Sequence, residues 1–131
     1  MTAAREIIAI MVGGAGGATS RHLLNVYIHR FTSSNFPCGT ITVNLIGSLC
    51  IGLCGALLEH YKVAVEYRLF LLTGFFGSFT TFSTFAREKA ELLKMGDVKT
   101  FILYAVSSNV LGVALVFAGY FLARHLIELG N

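Results

Sequence analysis

The chain has 131 residues, of which 55% are hydrophobic and 13% charged, with a formal net charge of +3. A soluble domain carries about 25% charged residues, so this composition excludes a disordered chain, a basic nucleic-acid binder and a disulfide-stapled secreted module. The mean hydropathy of +0.72 points to a bilayer as the solvent, and a chain this short holds one domain at most.

Four apolar spans follow in chain order, giving an all-α, multi-pass membrane protein with a single domain over 1–131. A spanning helix needs about 20 mostly apolar residues. The first span, about 5–29, is interrupted by Arg21 and His22. It qualifies only if Arg21 finds a partner or snorkels. It carries Arg5 near its start but has no clear cleavage site, so it reads as a mature helix rather than a signal peptide. The second span, about 40–59, has no charge between 41 and 58. The third, about 68–94, has none between 69 and 86, and the fourth, about 100–126, none between 101 and 123. The connectors are short: a polar turn over 30–39 with Pro37, a second over 59–68, and a third over 87–99. The last is expected to continue the third helix out of the membrane and to stop at Gly96-Asp97.

Four Lys/Arg residues fall on one side of these spans and six on the other. That bias is too weak to fix an orientation. It fits a protein that inserts both ways, and it equally fits scatter in a small count. Cys50 and Cys54 lie four apart on an apolar helix face, where thiols behave as small hydrophobes. A metal would need more ligands nearby. His22, His29, His60 and His125 sit at or near span ends and read as interfacial. There is no Ser-His-Asp set, HExxH or phosphate loop, so no enzyme is expected. Gly13 and Gly17, Gly47, Gly52 and Gly55, and Gly112 and Gly119 argue for a tight bundle, because helices in lipid associate by close backbone approach at small residues. A homodimer would supply eight helices to enclose a pathway.

The segment with chemistry is 73–85, TGFFGSFTTFSTF. Gly, Ser and Thr weaken a helix and offer its backbone other hydrogen bonds. A break in mid-bilayer is allowed only if it is buried in protein or faces a watery cavity. A glycine break here would free carbonyl oxygens, good ligands for a hard cation. Phe76, Phe79, Phe82 and Phe85 recur every third residue. Such a stripe can serve packing alone, but a ring presented edge-on also offers a weakly positive rim to an anion. The Ser and Thr hydroxyls can donate to the same anion.

Asn44, in the GTITVN block of span two, can donate to an anion, pair with a freed carbonyl of span three, or join helices. Thr40 lies four residues earlier on the same face. In span four, Ser107, Ser108 and Asn109 form a polar notch, with Tyr104 one turn before Ser108. Glu88, flanked by Arg87 and Lys89, reads either as part of an interfacial charge cluster or as a vestibule residue. Arg21 lies deep enough to need an acceptor.

GTxTVN, then TGFxGxxTTFSTF, then a Ser-bearing fourth helix and an early GG…R in span one, resemble the CrcB/Fluc family of small fluoride channels along the whole chain. The resemblance implies a fluoride-selective channel in the cell (inner) membrane that passively exports fluoride and lowers cytoplasmic fluoride. It implies an antiparallel, dual-topology homodimer in membrane lipid, with the third helices broken mid-membrane. It also implies a structural sodium ion at the dimer centre, held by the backbone carbonyls of Gly77 and Thr80. Phe82 and Phe85 would be the ring contacts to fluoride and Asn44 the pore amide. Thr40, Ser83, Thr84, Tyr104 and Ser108 would form the polar track. Glu88 matches the acidic position after the motif, and Arg21 the first-helix arginine as structural support. No organic cofactor and no nucleic acid is implied. Two departures stand out: Gly112 falls where the family often has a second hydroxyl beyond Ser108, and span one lacks a tryptophan. The rival class, a small dual-topology drug/proton antiporter, needs a membrane-embedded carboxylate. Spans one, two and four have none in their cores, and Glu88 lies near an exit. A purely structural membrane subunit would show no flux at all.

Overall fold

The computed structural model describes residues 2–32 and 36–130, so part of the first connector, 33–35, lies outside the described residues. The elements are α1 (Thr2–His29), α2 (Cys38–His60), α3 (Val65–Arg68), a π-helical stretch (Leu69–Phe76), α4 (Gly77–Phe79), α5 (Phe82–Lys94) and α6 (Val98–Leu129). No strand occurs among the described residues. The third span is the run from α3 through α5, so four helices are long and apolar enough to cross a membrane: Ala3–His29, Cys38–His60, Val65–Lys94 and Val98–Leu129. The protein is a multi-pass membrane protein. The 23 residues of α2 reach about 35 Å at 1.5 Å per residue, enough for a hydrocarbon core of about 30 Å.

The apolar residues face outward and the small ones inward. Ile7, Met11, Val113 and Phe117 are exposed, whereas Gly13, Gly17, Gly52 and Gly119 are buried. In lipid the outward side chains cost nothing, and association comes from close backbone packing. The α2–α6 crossing shows this: a Cβ on Gly52 would land on the Val116 carbonyl oxygen, and one on Gly119 on that of Leu49. At the crossing of α1 with the π-helical stretch, a Cβ on Gly13 would meet the Phe70 carbonyl and one on Gly17 the Phe75 carbonyl.

The third span comes apart at Thr80 (φ −80, ψ 160) and Thr81 (φ −149, ψ 117). This corrects the expectation of a break at glycine. Gly74 and Gly77 are both helical, and Gly74 instead lets α1 approach, its Cβ position lying 3.0 Å from Gly13 Cα. Extended angles suit a β-branched residue, so the chain opens where two threonines stand and not where the backbone is most permissive. After α5, Gly96 takes the left-handed conformation (φ +77) that turns the chain. Asp97 then caps α6, its Oδ1 accepting from the Thr100 N–H at 3.0 Å. Hydrogen bonding from Thr100 holds the Asp97 carboxyl below the usual carboxylate range.

Candidate functional site

The break is held from α2. Asn44 Oδ1 accepts from the Thr81 N–H at 2.8 Å, and Asn44 Nδ2 donates to the Thr81 carbonyl at 3.2 Å. One side-chain amide thus pairs with both backbone groups of the residue that leaves the helix. Thr81 in turn caps α5: its Oγ1 accepts from the Thr84 N–H at 3.3 Å and donates to Thr84 Oγ1 at 3.1 Å. Capping oxygens satisfy the first free N–H groups of a helix. On the other side, the Thr80 N–H and hydroxyl both donate to the Phe76 carbonyl, at 3.1 and 2.9 Å. Arg21 of α1 donates from Nη1 to the Thr80 carbonyl at 3.3 Å, which gives the deep arginine the acceptor it needs. In an unbroken helix the Thr81 N–H would bond to the Gly77 carbonyl. Here that N–H belongs to Asn44, and Gly77 is exposed.

A cavity of about 280 Å³ opens beside the break, lined by Asn44, Gly47, Ser48, Ile51, Thr80, Thr81, Phe82, Phe85, Ser108 and Asn109. None of these side chains carries a charge. Asn44 spends one amide hydrogen on Thr81 and keeps a second, since a primary amide has two. The Ser108 hydroxyl is buried and has no hydrogen-bond partner among the described residues. Phe82 is 78% exposed and Phe85 only 5%. Lys89 Nζ lies 3.9 Å from the Phe85 ring centroid, over its face. A cation takes the electron-rich face of a ring and leaves the electron-poor rim for other neighbours.

A second cluster lies one step along. Thr40 and Tyr104 are buried, and each donates its hydroxyl to Glu88 at 2.7 Å, one to each carboxylate oxygen. Glu88 also lines a smaller cavity of about 210 Å³ with His29, Phe36, Pro37 and Glu91. The Phe85 and Tyr104 rings meet edge-on, with centroids 4.9 Å apart, and join this cluster to the break. The Phe85–Tyr104 contact thus sets the cavity that holds Glu88 beside the one that holds Asn44 and Ser108. Larger cavities, of about 390 and 470 Å³, open near His60–Arg124 and Arg5–Glu66, away from the break.

The structure gathers Asn44, Thr80, Phe82, Phe85 and Ser108 around one cavity. It gathers Thr40, Tyr104 and Glu88 in the second cluster. Thr84 is turned to the cap on Thr81, whereas Ser83 is exposed and lines neither cavity. Sequence reasoning missed two residues of the site. Thr81 carries a local signal, a threonine just ahead of a helical run. Ser48 carries one too, lying four residues after Asn44 and so on its face of α2. Chemically, the cavity at the break offers unspent N–H and O–H donors and two phenyl rings, with nothing to titrate. That suits a small anion.

Residues 8–120 match the family described as CrcB-like protein, Camphor Resistance (CrcB). A protein named Fluoride-specific ion channel FluC from Parabacteroides distasonis is 37% identical over 124 residues, covering 95% of this chain and 97% of its own. Proteins of the same name from Agrobacterium fabrum and Bacteroides fragilis are 40% and 42% identical, over 92% of this chain and 98% and 97% of theirs. By the family match and by identity along nearly its whole length, the chain belongs to the CrcB family.

Proposed function

We propose that the protein is a fluoride channel that lets fluoride leave the cell passively across the inner membrane, working as an antiparallel homodimer of dual topology. The observation that carries this reading is the uncharged cavity at the break, lined by Phe82 and Phe85 and holding the unspent Asn44 and Ser108 donors. The relatives' shared name, fluoride-specific ion channel, agrees with it. Fluoride sheds part of its water on entering. Hydroxyl and amide donors replace that water in a low-dielectric interior, where each is worth more than in water. No single station may hold the ion too tightly, or conduction stops. Glu88, whose two oxygens both accept from hydroxyl donors, is turned to Thr40 and Tyr104 and does not line the cavity at the break.

A sodium ion between two copies is part of the proposal, and the residues fit it. The Gly77 carbonyl is released from the helical ladder by the Asn44–Thr81 pairing and lies on an exposed residue. The Thr80 carbonyl accepts one bond from Arg21, and a carbonyl oxygen has a second lone pair. When bound, such an ion would offset the charge of a nearby anion.

The test is fluoride efflux from proteoliposomes, followed with a fluoride electrode. Efflux that needs no proton gradient, and that falls in Phe82→Ile, is expected. Phe82 is mostly exposed, so this change leaves the fold intact. Cation export coupled to protons would support an antiporter instead, and equal efflux in Phe82→Ile would remove the ring's role.

A further inference from the structure

Gly112 interrupts the row of hydroxyls on α6, because it stands one turn beyond Ser108 where no side chain can reach into the cavity. The facing helix fills the gap. A Cβ built on Gly112 would lie 3.6 Å from Ser48 Oγ, and Ser48 lines the same cavity as Asn44 and Ser108. A hydroxyl inside a helix commonly donates to the carbonyl four residues back, as Thr42 does to Cys38 at 2.7 Å. Ser48 makes no such bond and has no hydrogen-bond partner among the described residues. Its donor is unspent on the same cavity as the buried, equally unspent hydroxyl of Ser108. Both hydroxyls line one cavity, and a buried donor such as that of Ser108 is costly unless something in the cavity accepts from it.

We infer that Ser48 contacts the permeating anion and supplies from α2 the hydroxyl that Gly112 withholds on α6. An ion in the cavity then meets donors from both walls, Asn44 and Ser48 on one and Ser108 on the other. This rests on the channel reading above and adds a residue that sets how well fluoride is held.

The experiment compares proteoliposome fluoride efflux for wild type, Ser48→Ala and the double variant Ser48→Ala/Gly112→Ser. Losing one donor to an anion slows efflux about tenfold. The double variant restores most of it, because the Gly112 Cβ position has only an ordinary contact with Ser48 and so admits a serine. Size-exclusion profiles of all three should match. Ser48→Cys, which keeps the volume but weakens the donor, should lie near Ser48→Ala. The inference is overturned if Ser48→Ala conducts like wild type while Phe82→Ile is impaired, and the channel reading then survives alone. It is also overturned if Ser48→Ala is slow, folds normally and is not rescued by Gly112→Ser. If wild type passes no fluoride, the channel reading falls and takes this one with it.

Discussion

Replacing Asn44 with leucine keeps most of the side chain's volume and removes both bonds to Thr81. Hydrogen bonds between side chains in lipid average about 0.6 kcal/mol, and in soluble proteins about 1, so the pair contributes about 1–2 kcal/mol. Thr81 is buried, so its N–H and carbonyl lose their partner with little bulk water nearby. An orphaned buried group costs about 1–3 kcal/mol. The adjacent cavity of about 280 Å³ is large enough to hold water, which softens that cost. The expected loss is about 2 kcal/mol in all. It is measured by reversible unfolding in mixed micelles, followed by far-ultraviolet circular dichroism because the chain has no tryptophan. Asn44→Asp sharpens the test. An ionised Asp still accepts from the Thr81 N–H but sets a negative oxygen against the Thr81 carbonyl. A protonated Asp can donate there. The variant is therefore expected to be more stable in acid than at neutral pH. If Asn44→Leu unfolds like wild type and Asn44→Asp shows no recovery in acid, the side chain does not hold the break.

Three further outcomes follow from the same contacts. Tyr104→Phe removes one of the two donors to Glu88 and should cost about 1.5–3 kcal/mol, the range for a hydrogen bond to a charged group, read in the same unfolding assay. Gly119→Ala puts a methyl group onto the Leu49 carbonyl and should destabilise by about 1–3 kcal/mol through overpacking, whereas Gly55→Ala, which meets nothing within 4 Å, should be neutral in a thermal melt. Asp97 has a lowered folded pKa because Thr100 hydrogen-bonds its carboxylate. Its contribution is thus present above the ordinary carboxylate pKa of about 4 and lost as pH falls through the folded value. The melting difference between wild type and Asp97→Ala should be full at neutral pH and vanish in strong acid.

The helices were legible in the sequence because hydropathy is a local property, and each span announces itself. The presence of a break was legible too, in the hydroxyls of 73–85. Its position was not. After proline, glycine is the residue that most weakens a helix on its own, but the deciding partner, Asn44, lies 37 residues from Thr81. Glu88 shows the same limit. Beside Arg87 and Lys89 it reads as one charge among several at an interface. It is turned inward by Thr40 and Tyr104, which lie 48 and 16 residues away along the chain. Ser48 is in plain view in the sequence, but nothing there shows that α2 and α6 face each other at Gly112.

The most direct measurement is the reversal potential of the purified protein in a planar bilayer, with opposed gradients of fluoride and chloride and equal sodium on both sides. A fluoride-selective channel gives a current that reverses near the fluoride equilibrium potential. Reversal near that of chloride, or no current at all, would contradict the channel reading.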